Sequence, residues 1–365
     1  MYDYLIVGSG LYGAVCARLL ADSGRRVRVV ERRNHIGGNV YTEEQEGIVI
    51  HSYGAHIFHC SNREIWDFVN RFASFRPFVN RPVSISGGKL YSLPFNMFTF
   101  NQLWGVTSPD EARAIIERER LILDREPENL EEQALSMVGK TIYDLLIRGY
   151  TMKQWQKNPR ELPPWIIKRL PLRFTYDNNY FNDTYQGIPE GGYAKLIQGL
   201  LYGIQVDTSV DFLSNRTELA AQAKHVIYTG ALDEFFGYDL GVLEYRGLRF
   251  EHDWFESENV LGNAVINYGD EDVPYTRRIE HRHFSPTSSP LSIVSREYPA
   301  AWRPGDIPFY PVNSPDNELL HRKYCERIAN FNNYHIGGRL ADYRYYDMHQ
   351  VVGAAMKFAR SLAAG

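Results

Sequence analysis

The hydrophobic pattern opens with a short apolar run, Leu5-Ile6-Val7, followed by a segment rich in Ala and Leu that ends near Gly24, and then by a second apolar run, Val27–Val30. Short apolar runs read as buried strands, and the longer segment between them has helical length, so the order is strand, helix, strand, as in a βαβ unit. Over 94–150 the period becomes helical. Ser108-Pro109-Asp110-Glu111 spells an N-cap, a proline at the first helical position and a glutamate that closes a capping box, ahead of a stripe of Ala112, Ile115 and Ile116. Asn129-Leu130-Glu131-Glu132 repeats the device, and Ile142, Leu145, Leu146 and Gly149 form a third stripe. Over 150–185 the periodicity breaks at Pro159, Pro163, Pro164 and Pro171, while Trp155, Lys157, Arg160, Lys168, Arg169 and Arg173 make the segment basic, which predicts a mobile binding loop. Short β-like runs at 243–250, 263–267, 275–281, 292–298 and 309–312 alternate with turn signals, and with no helical pattern between them they predict an antiparallel sheet. The chain closes with a strand at Tyr334-His335-Ile336 and a helix, capped by Asp347 with Gln350, that runs to about Leu362.

This is an α/β fold in three parts. A discontinuous Rossmann-like nucleotide-binding domain takes 1–78, 188–242 and 313–365; a helical domain with a mobile substrate loop near 155–172 is inserted at 79–175; an antiparallel sheet domain takes 176–187 and 243–312. The first turn carries the chemistry. Gly8-Ser9-Gly10-x-x-Gly13 sits between the first strand and the helix: Gly8 permits the tight turn, Gly10 lets backbone approach a pyrophosphate, and Gly13 lets helix pack on strand. Glu31, at the tip of the second strand, can accept from a ribose 2′-hydroxyl. Gly37-Gly38-Asn39, just after Arg32, is either a β-turn or backbone pressed against the same ligand. Gly337-Gly338-Arg339 leads towards a second helix N-terminus at Asp347-Met348, which is either a capped terminal helix or a second anion-favouring spot. His56 and His59 lack partners at metal-ligand spacing, so no metal is expected; they are either satisfied structural histidines or contacts to a flavin ring. Arg277 is either an edge charge or a phosphate clamp.

Composition narrows the partners. Net charge is −4, which gives no reason to expect nucleic acid or an anionic membrane. Three dispersed cysteines, Cys16, Cys60 and Cys325, argue against a disulfide framework and for a reducing cytoplasm. No apolar run reaches membrane-spanning length, and Met1 leading directly into a strand is read as leaving no room for a signal peptide. The 25 tyrosines supply flat faces with polar tips, suited to a sugar nucleotide.

The series VGSGLYGAVCA, ERRNHIGGN, YGAHIFH, SLPFNM, YDNNYF, YQGIPEGGY, VPYTR, REYP, FYPV and GGRLADYRYYDMHQ resembles, in that order, the bacterial UDP-galactopyranose mutases. The resemblance implies FAD, active in its reduced form, bound by Gly8, Ser9, Gly10, Gly13, Glu31, Arg32, Gly38, Asn39, His56, Arg339 and Met348. It implies interconversion of UDP-galactopyranose and UDP-galactofuranose through a bond between flavin N5 and galactose C1, with no net redox change. Arg169 and Arg277 would stabilise the departing diphosphate, Tyr310 and Tyr345 would bond it, Tyr180 would stack on uracil and Trp155 would close over galactose. Arg246, Glu297 and Asp347 would line the site. A cytoplasmic homodimer feeding cell-wall or surface polysaccharide synthesis is the expected setting. The family's Y-T-E-K-Q-W-G stands here as Tyr150-Thr151-Met152-Lys153-Gln154-Trp155-Gln156, which removes a charge and backbone freedom beside the lid tryptophan. A flavin oxidoreductase of amine-oxidase type and a non-catalytic UDP-sugar-binding flavoprotein are the alternatives.

Overall fold

The computed structural model describes residues 1–168 and 170–364. The first strand, Tyr2–Val7, becomes the middle of a five-stranded sheet, pairing with Val27–Val30 on one side and Ala223–Tyr228 on the other. Gln205–Asp207 and Tyr334–Ile336 form its edges, and every pairing is parallel. The helix Leu11–Asp22 buries Ala14, Val15, Ala17 and Leu20, and shares a core with Val352, Ala355 and Ala359 of the terminal helix Met348–Ala364. Small residues on both faces let the two helix axes approach closely. Cys16 is buried in the same seam as a small apolar residue.

The runs expected between 243 and 312 are all strands: Tyr245–Phe255, Val265–Tyr268, Arg277–Glu280, Ser292–Ala301 and Tyr310–Pro311. They belong to a sheet that continues through Val83–Ser86 and Lys89–Ser92. This corrects two expectations. Residues 83–92 are sheet, although they lie inside the stretch assigned to the helical domain, and Val83–Ser86 pairs parallel to Val265–Tyr268, so the sheet is mixed. The hairpin escaped notice because its buried face carries Ser84 and Ser86 in place of large apolar residues. Ser86 is satisfied inside by the Leu145 carbonyl and the Asp270 carboxylate, at 2.7 and 3.0 Å. A third correction concerns Tyr185–Pro189, which joins Phe58–Cys60 and Phe75–Pro77 in a small separate sheet and not the broad one.

The helical part has its own core of Phe100, Ile116, Leu130, Ala134, Val138 and Ile142. Pro109–Glu119 starts on the capping box at Ser108 as expected, and Leu130–Ile142 starts on Asn129. The third apolar stripe does not form one regular helix. A widened turn, Tyr143–Arg148, intervenes before the helix Gly149–Trp155. Three histidines follow one another towards the cavity: the half-buried His56 donates its N–H to Nδ1 of the buried His51 at 3.1 Å, and the His51 N–H donates to Nδ1 of the buried His281 at 3.3 Å. Among the described residues, no helix is long and apolar enough to cross a membrane.

Candidate active site

The parallel strands end at a cavity of about 790 Å³, with Val7, Val30 and Tyr228 at its floor. Ligands of open α/β sheets bind outside such carboxyl ends, and the volume is ordinary for a cofactor or substrate site. Arg277 and Asn267 of the broad sheet face it from the other side, and Tyr150 and Trp155 of the helical part close it.

At the floor the glycine turn behaves as its spacing implies. Gly8 has φ +103°, and a Cβ on Gly13 would stand 2.0 Å from the Gly8 carbonyl oxygen, so strand and helix meet without room for a side chain. Gly10 caps the helix with no side-chain acceptor, and no acidic residue sits in the first turn. The first N–H groups and the positive end of the helix dipole are thus left for an anion. Glu31 lines the cavity while accepting from the Ser9 N–H and hydroxyl at 2.9 and 2.8 Å and from the Arg33 N–H at 2.9 Å. Ser9 is fully buried and braces Glu31 from behind. Arg32 lines the rim and pairs with Glu234 at 3.0 Å. Gly38 packs against the Gly10 backbone, and Asn39 accepts from Arg33 Nη2 at 2.8 Å, so the second glycine pair closes the same pocket.

At the opposite end, Arg277 makes a two-pronged pair with Glu297, Nε to Oε1 at 2.9 Å and Nη2 to Oε2 at 2.5 Å. Glu297 is fully buried and stands behind Arg277, so it holds the guanidinium and does not line the cavity. Against desolvation, this carboxylate holds the guanidinium charged and raises its pKa further. Tyr310 and Tyr345 stack at 5.7 Å between ring centres, with the Arg339 guanidinium over both faces. Burial, then Glu297, pushes the Tyr310 hydroxyl up to about 12, so it is a hydrogen-bond donor at neutral pH. Trp155, Tyr180, Asp347 and Met348 line the wall. Arg246 is buried behind that wall, its Nε donating to the Gln154 carbonyl at 3.4 Å, so it supports the tryptophan helix from outside. Arg169 lies outside the described residues.

His56 lines the cavity with Nδ1 2.6 Å from the Gly54 carbonyl oxygen, and burial draws its pKa to about 4, so the ring is neutral at pH 7. His59 bonds Asp183 through Nδ1 at 2.6 Å and stacks on Phe181 at 3.7 Å. Folding also brings His59 near Asp347 and His349, with one ligand atom of each within 4.8 Å of the others. That trio sits at the positive end of the terminal helix, which opposes a cation, and we assign no metal to it.

Tyr150 was overlooked in the sequence. It is half-buried, within electrostatic reach of Arg277, Glu297, Tyr310 and Tyr180. Its place beside Trp155 in Tyr150-Thr151-Met152-Lys153-Gln154-Trp155 was the available signal, since both project from one short helix. Gln156, where the family motif has glycine, ends that helix in the left-handed region at φ +49°.

The unpartnered groups fit a ligand that brings phosphate oxygens to Arg33 and Arg339 and hydroxyl or N–H donors to Gln154 and Asn267, as an anionic dinucleotide does. Arg33 Nη1, Arg339 Nε, Gln154 Oε1 and Asn267 Oδ1 are buried polar atoms of cavity-lining residues with no partner among the described residues. Such orphans are costly unless a ligand or water satisfies them.

The chain matches the family model for UDP-galactopyranose mutase over residues 145–345 and one for an NAD(P)-binding Rossmann-like domain over residues 6–72. It is 43% identical to a probable UDP-galactopyranose mutase of Klebsiella pneumoniae, over 98% of this chain and 94% of that protein. It is 40% identical to the dTDP-fucopyranose mutase of Escherichia coli, over 99% and 98% respectively. Among solved structures, a reduced UDP-galactopyranose mutase superposes with a TM-score of 0.78 at 14% identity, covering 100% of this chain and 94% of that one.

Proposed function

The chain belongs to the UDP-galactopyranose mutase family, and on that premise we propose that it interconverts UDP-galactopyranose and UDP-galactofuranose with FAD in its reduced form. The glycine turn and the open helix end would hold the pyrophosphate of FAD, Glu31 would accept from its ribose, and His56, Arg339 and Met348 would hold the rest of the cofactor. When bound, reduced flavin supplies a nucleophile for the anomeric carbon, so the sugar ring can open and reclose after UDP has left. The protein's own task is to place the sugar and to hold the departing diphosphate. Arg277, oriented by Glu297, meets the negative charge that develops on that diphosphate, and the Tyr310 and Tyr345 hydroxyls donate to it. Arg169 is the second cation of this clamp. Tyr180 stacks on uracil, and Trp155 covers galactose and keeps water from the anomeric centre. The same proposal takes the protein as a cytoplasmic homodimer that serves cell-wall or surface polysaccharide synthesis.

The observation that carries this reading is a single cavity with an open helix end at its floor and a half-buried, carboxylate-held Arg277 across it. The test is chromatography of UDP-galactofuranose after incubation with dithionite-reduced, FAD-loaded protein. Conversion to UDP-galactopyranose is expected, and unchanged substrate with flavin shown to be reduced refutes the proposal. A second reading comes from the comparable identity to dTDP-fucopyranose mutase. The same assay with dTDP-fucofuranose discriminates: a higher kcat/KM for that substrate would transfer the assignment to a thymidine-linked deoxy sugar.

A further inference from the structure

The helix Gly149–Trp155 carries Tyr150 and Trp155 to the cavity, yet it is only seven residues long. Its mounting is the turn between the strands Val265–Tyr268 and Arg277–Glu280. Lys153 reaches into that turn and donates to the backbone carbonyls of Asp270, Tyr268, Val273 and Tyr275 at 2.7, 2.8, 3.1 and 3.2 Å. Among the described residues no carboxylate pairs directly with the ammonium. Four carbonyl oxygens share its three N–H bonds, so one chain segment wraps a single cation much as an ion filter does.

The contacts around it share this plan. Arg148 pairs with Glu271 at 3.0 Å, and a Cβ on Gly149 would stand 2.2 Å from the Gly269 carbonyl oxygen, so the helix starts pressed against the same turn. The Asp270 carboxylate accepts from the Gly87 N–H at 2.8 Å and the Ser86 hydroxyl at 3.0 Å, which ties the turn to the neighbouring hairpin. Two residues past the last carbonyl comes Arg277. Burial draws the ammonium's pKa down to about 8, against the pull of Asp270, Asp272 and Glu271, and at pH 7 it keeps its proton.

We propose that Lys153 is a positioning residue: by seating its ammonium in this cage of four carbonyls it fixes Tyr150 and Trp155 against the turn that leads into Arg277, and so sets the width of the substrate end of the cavity. The assignment deepens the mutase reading and rests on it for the identity of the substrate, but its binding readout does not. The cage is also a small-cation site once the side chain is removed. Lys153→Ala deletes the equivalent of n-propylammonium, which can return to the same carbonyls as a free ion.

The experiment uses FAD-loaded protein at pH 7, with UDP affinity followed by titration and turnover of UDP-galactofuranose followed in parallel. Lys153→Ala is expected to weaken UDP binding and to lower kcat/KM by about 100-fold, the order of loss when a positioning contact fails. n-Propylammonium at millimolar concentration is expected to restore much of both, while tetramethylammonium, a cation without N–H groups, is expected to restore neither. Lys153→Met, of similar length and without donors, is expected to show the same loss with weaker rescue, because its side chain still fills the channel. UDP affinity within twofold of wild type in both variants overturns the proposal, as does equal rescue by tetramethylammonium. If neither variant takes up FAD and n-propylammonium does not reverse this, Lys153 holds the fold and not the site, and the proposal also falls. Wild type that binds UDP but turns over neither sugar nucleotide defeats the mutase reading alone.

Discussion

The two ends of the cavity are built in opposite ways. The floor is assembled from consecutive residues, Gly8 to Gly13, and it offers backbone N–H groups and a helix end. The substrate end is assembled from side chains of separate segments: Trp155 and Tyr150 from one helix, Tyr180 from a loop, Arg277 from one strand, Glu297 from its neighbour, and Tyr310 and Tyr345 from the chain's last third. A phosphate is recognised well by backbone, which any sequence with the right glycines supplies. A sugar undergoing ring opening needs charge and shape at chosen points, and only side chains from distant segments give both.

If the contrast is real, single substitutions should act differently at the two ends. The largest effect is expected for Arg277→Ala. Turnover of UDP-galactofuranose should fall by about 10²–10³-fold with the flavin still bound. The same change leaves Glu297 buried without its partner, so stability should fall as well, and Glu297→Gln in the same chain should restore the melting temperature but not the activity. Retained turnover in Arg277→Ala would show that the clamp is built elsewhere.

The second test concerns the seam where the two halves meet. The cavity-lining His56 and the buried His281 have pKa values drawn by desolvation to about 4 and about 3, and that of the buried His51 is drawn well down too. An unfolded histidine takes up its proton near pH 6.5, before these folded ones do, so the unfolded chain binds more protons below that pH. The stability these neutral rings contribute is therefore complete above pH 6.5 and is lost as pH falls towards 4, by roughly 3 kcal/mol for the fully buried His281. Urea midpoints of the apoprotein across that window should slope downward, and His281→Gln should flatten the slope. A flat profile in the wild type would mean that the seam is open to water.

A smaller effect is expected at the floor. Gly13→Ala places a Cβ into the Gly8 carbonyl and should cost about 1–3 kcal/mol, while shifting the helix end away from the pyrophosphate. The flavin-to-protein absorbance ratio after dialysis should drop, with residual turnover in proportion to the flavin retained. Turnover lost with full flavin content would contradict the division of labour. The smallest effect is a gain. Gln156 holds a left-handed conformation at the end of the tryptophan helix, so Gln156→Gly should stabilise by about 1 kcal/mol, read as a rise in melting temperature.

Much of the floor could be read in advance. Gly8, Gly10, Gly13 and Glu31 stand in the cavity wall, and the capping box at Ser108 begins a helix. Each of these depends on neighbours a few residues away, and their spacing is the physical cause of the structure. The strands between 243 and 312 were legible for the same reason, through turn signals and alternation. Residues 83–92 were not, because serines occupy the buried face and the pairing partner is about 180 residues further on.

The amino-acid order alone therefore settled most of the elements and the nucleotide turn, since helix caps, glycine turns and strand periods are short-range effects, while the family resemblance pointed to side chains such as Arg277 and Tyr310 that stand in the cavity wall. It did not tell that Ser9 serves Glu31, that Glu297 stands behind Arg277 as its counter-ion, or that four carbonyls beyond residue 267 would enclose Lys153. These pairings join residues between about 20 and 120 positions apart in the chain. They exist only where packing has removed water and left each buried charge or polar group one available partner.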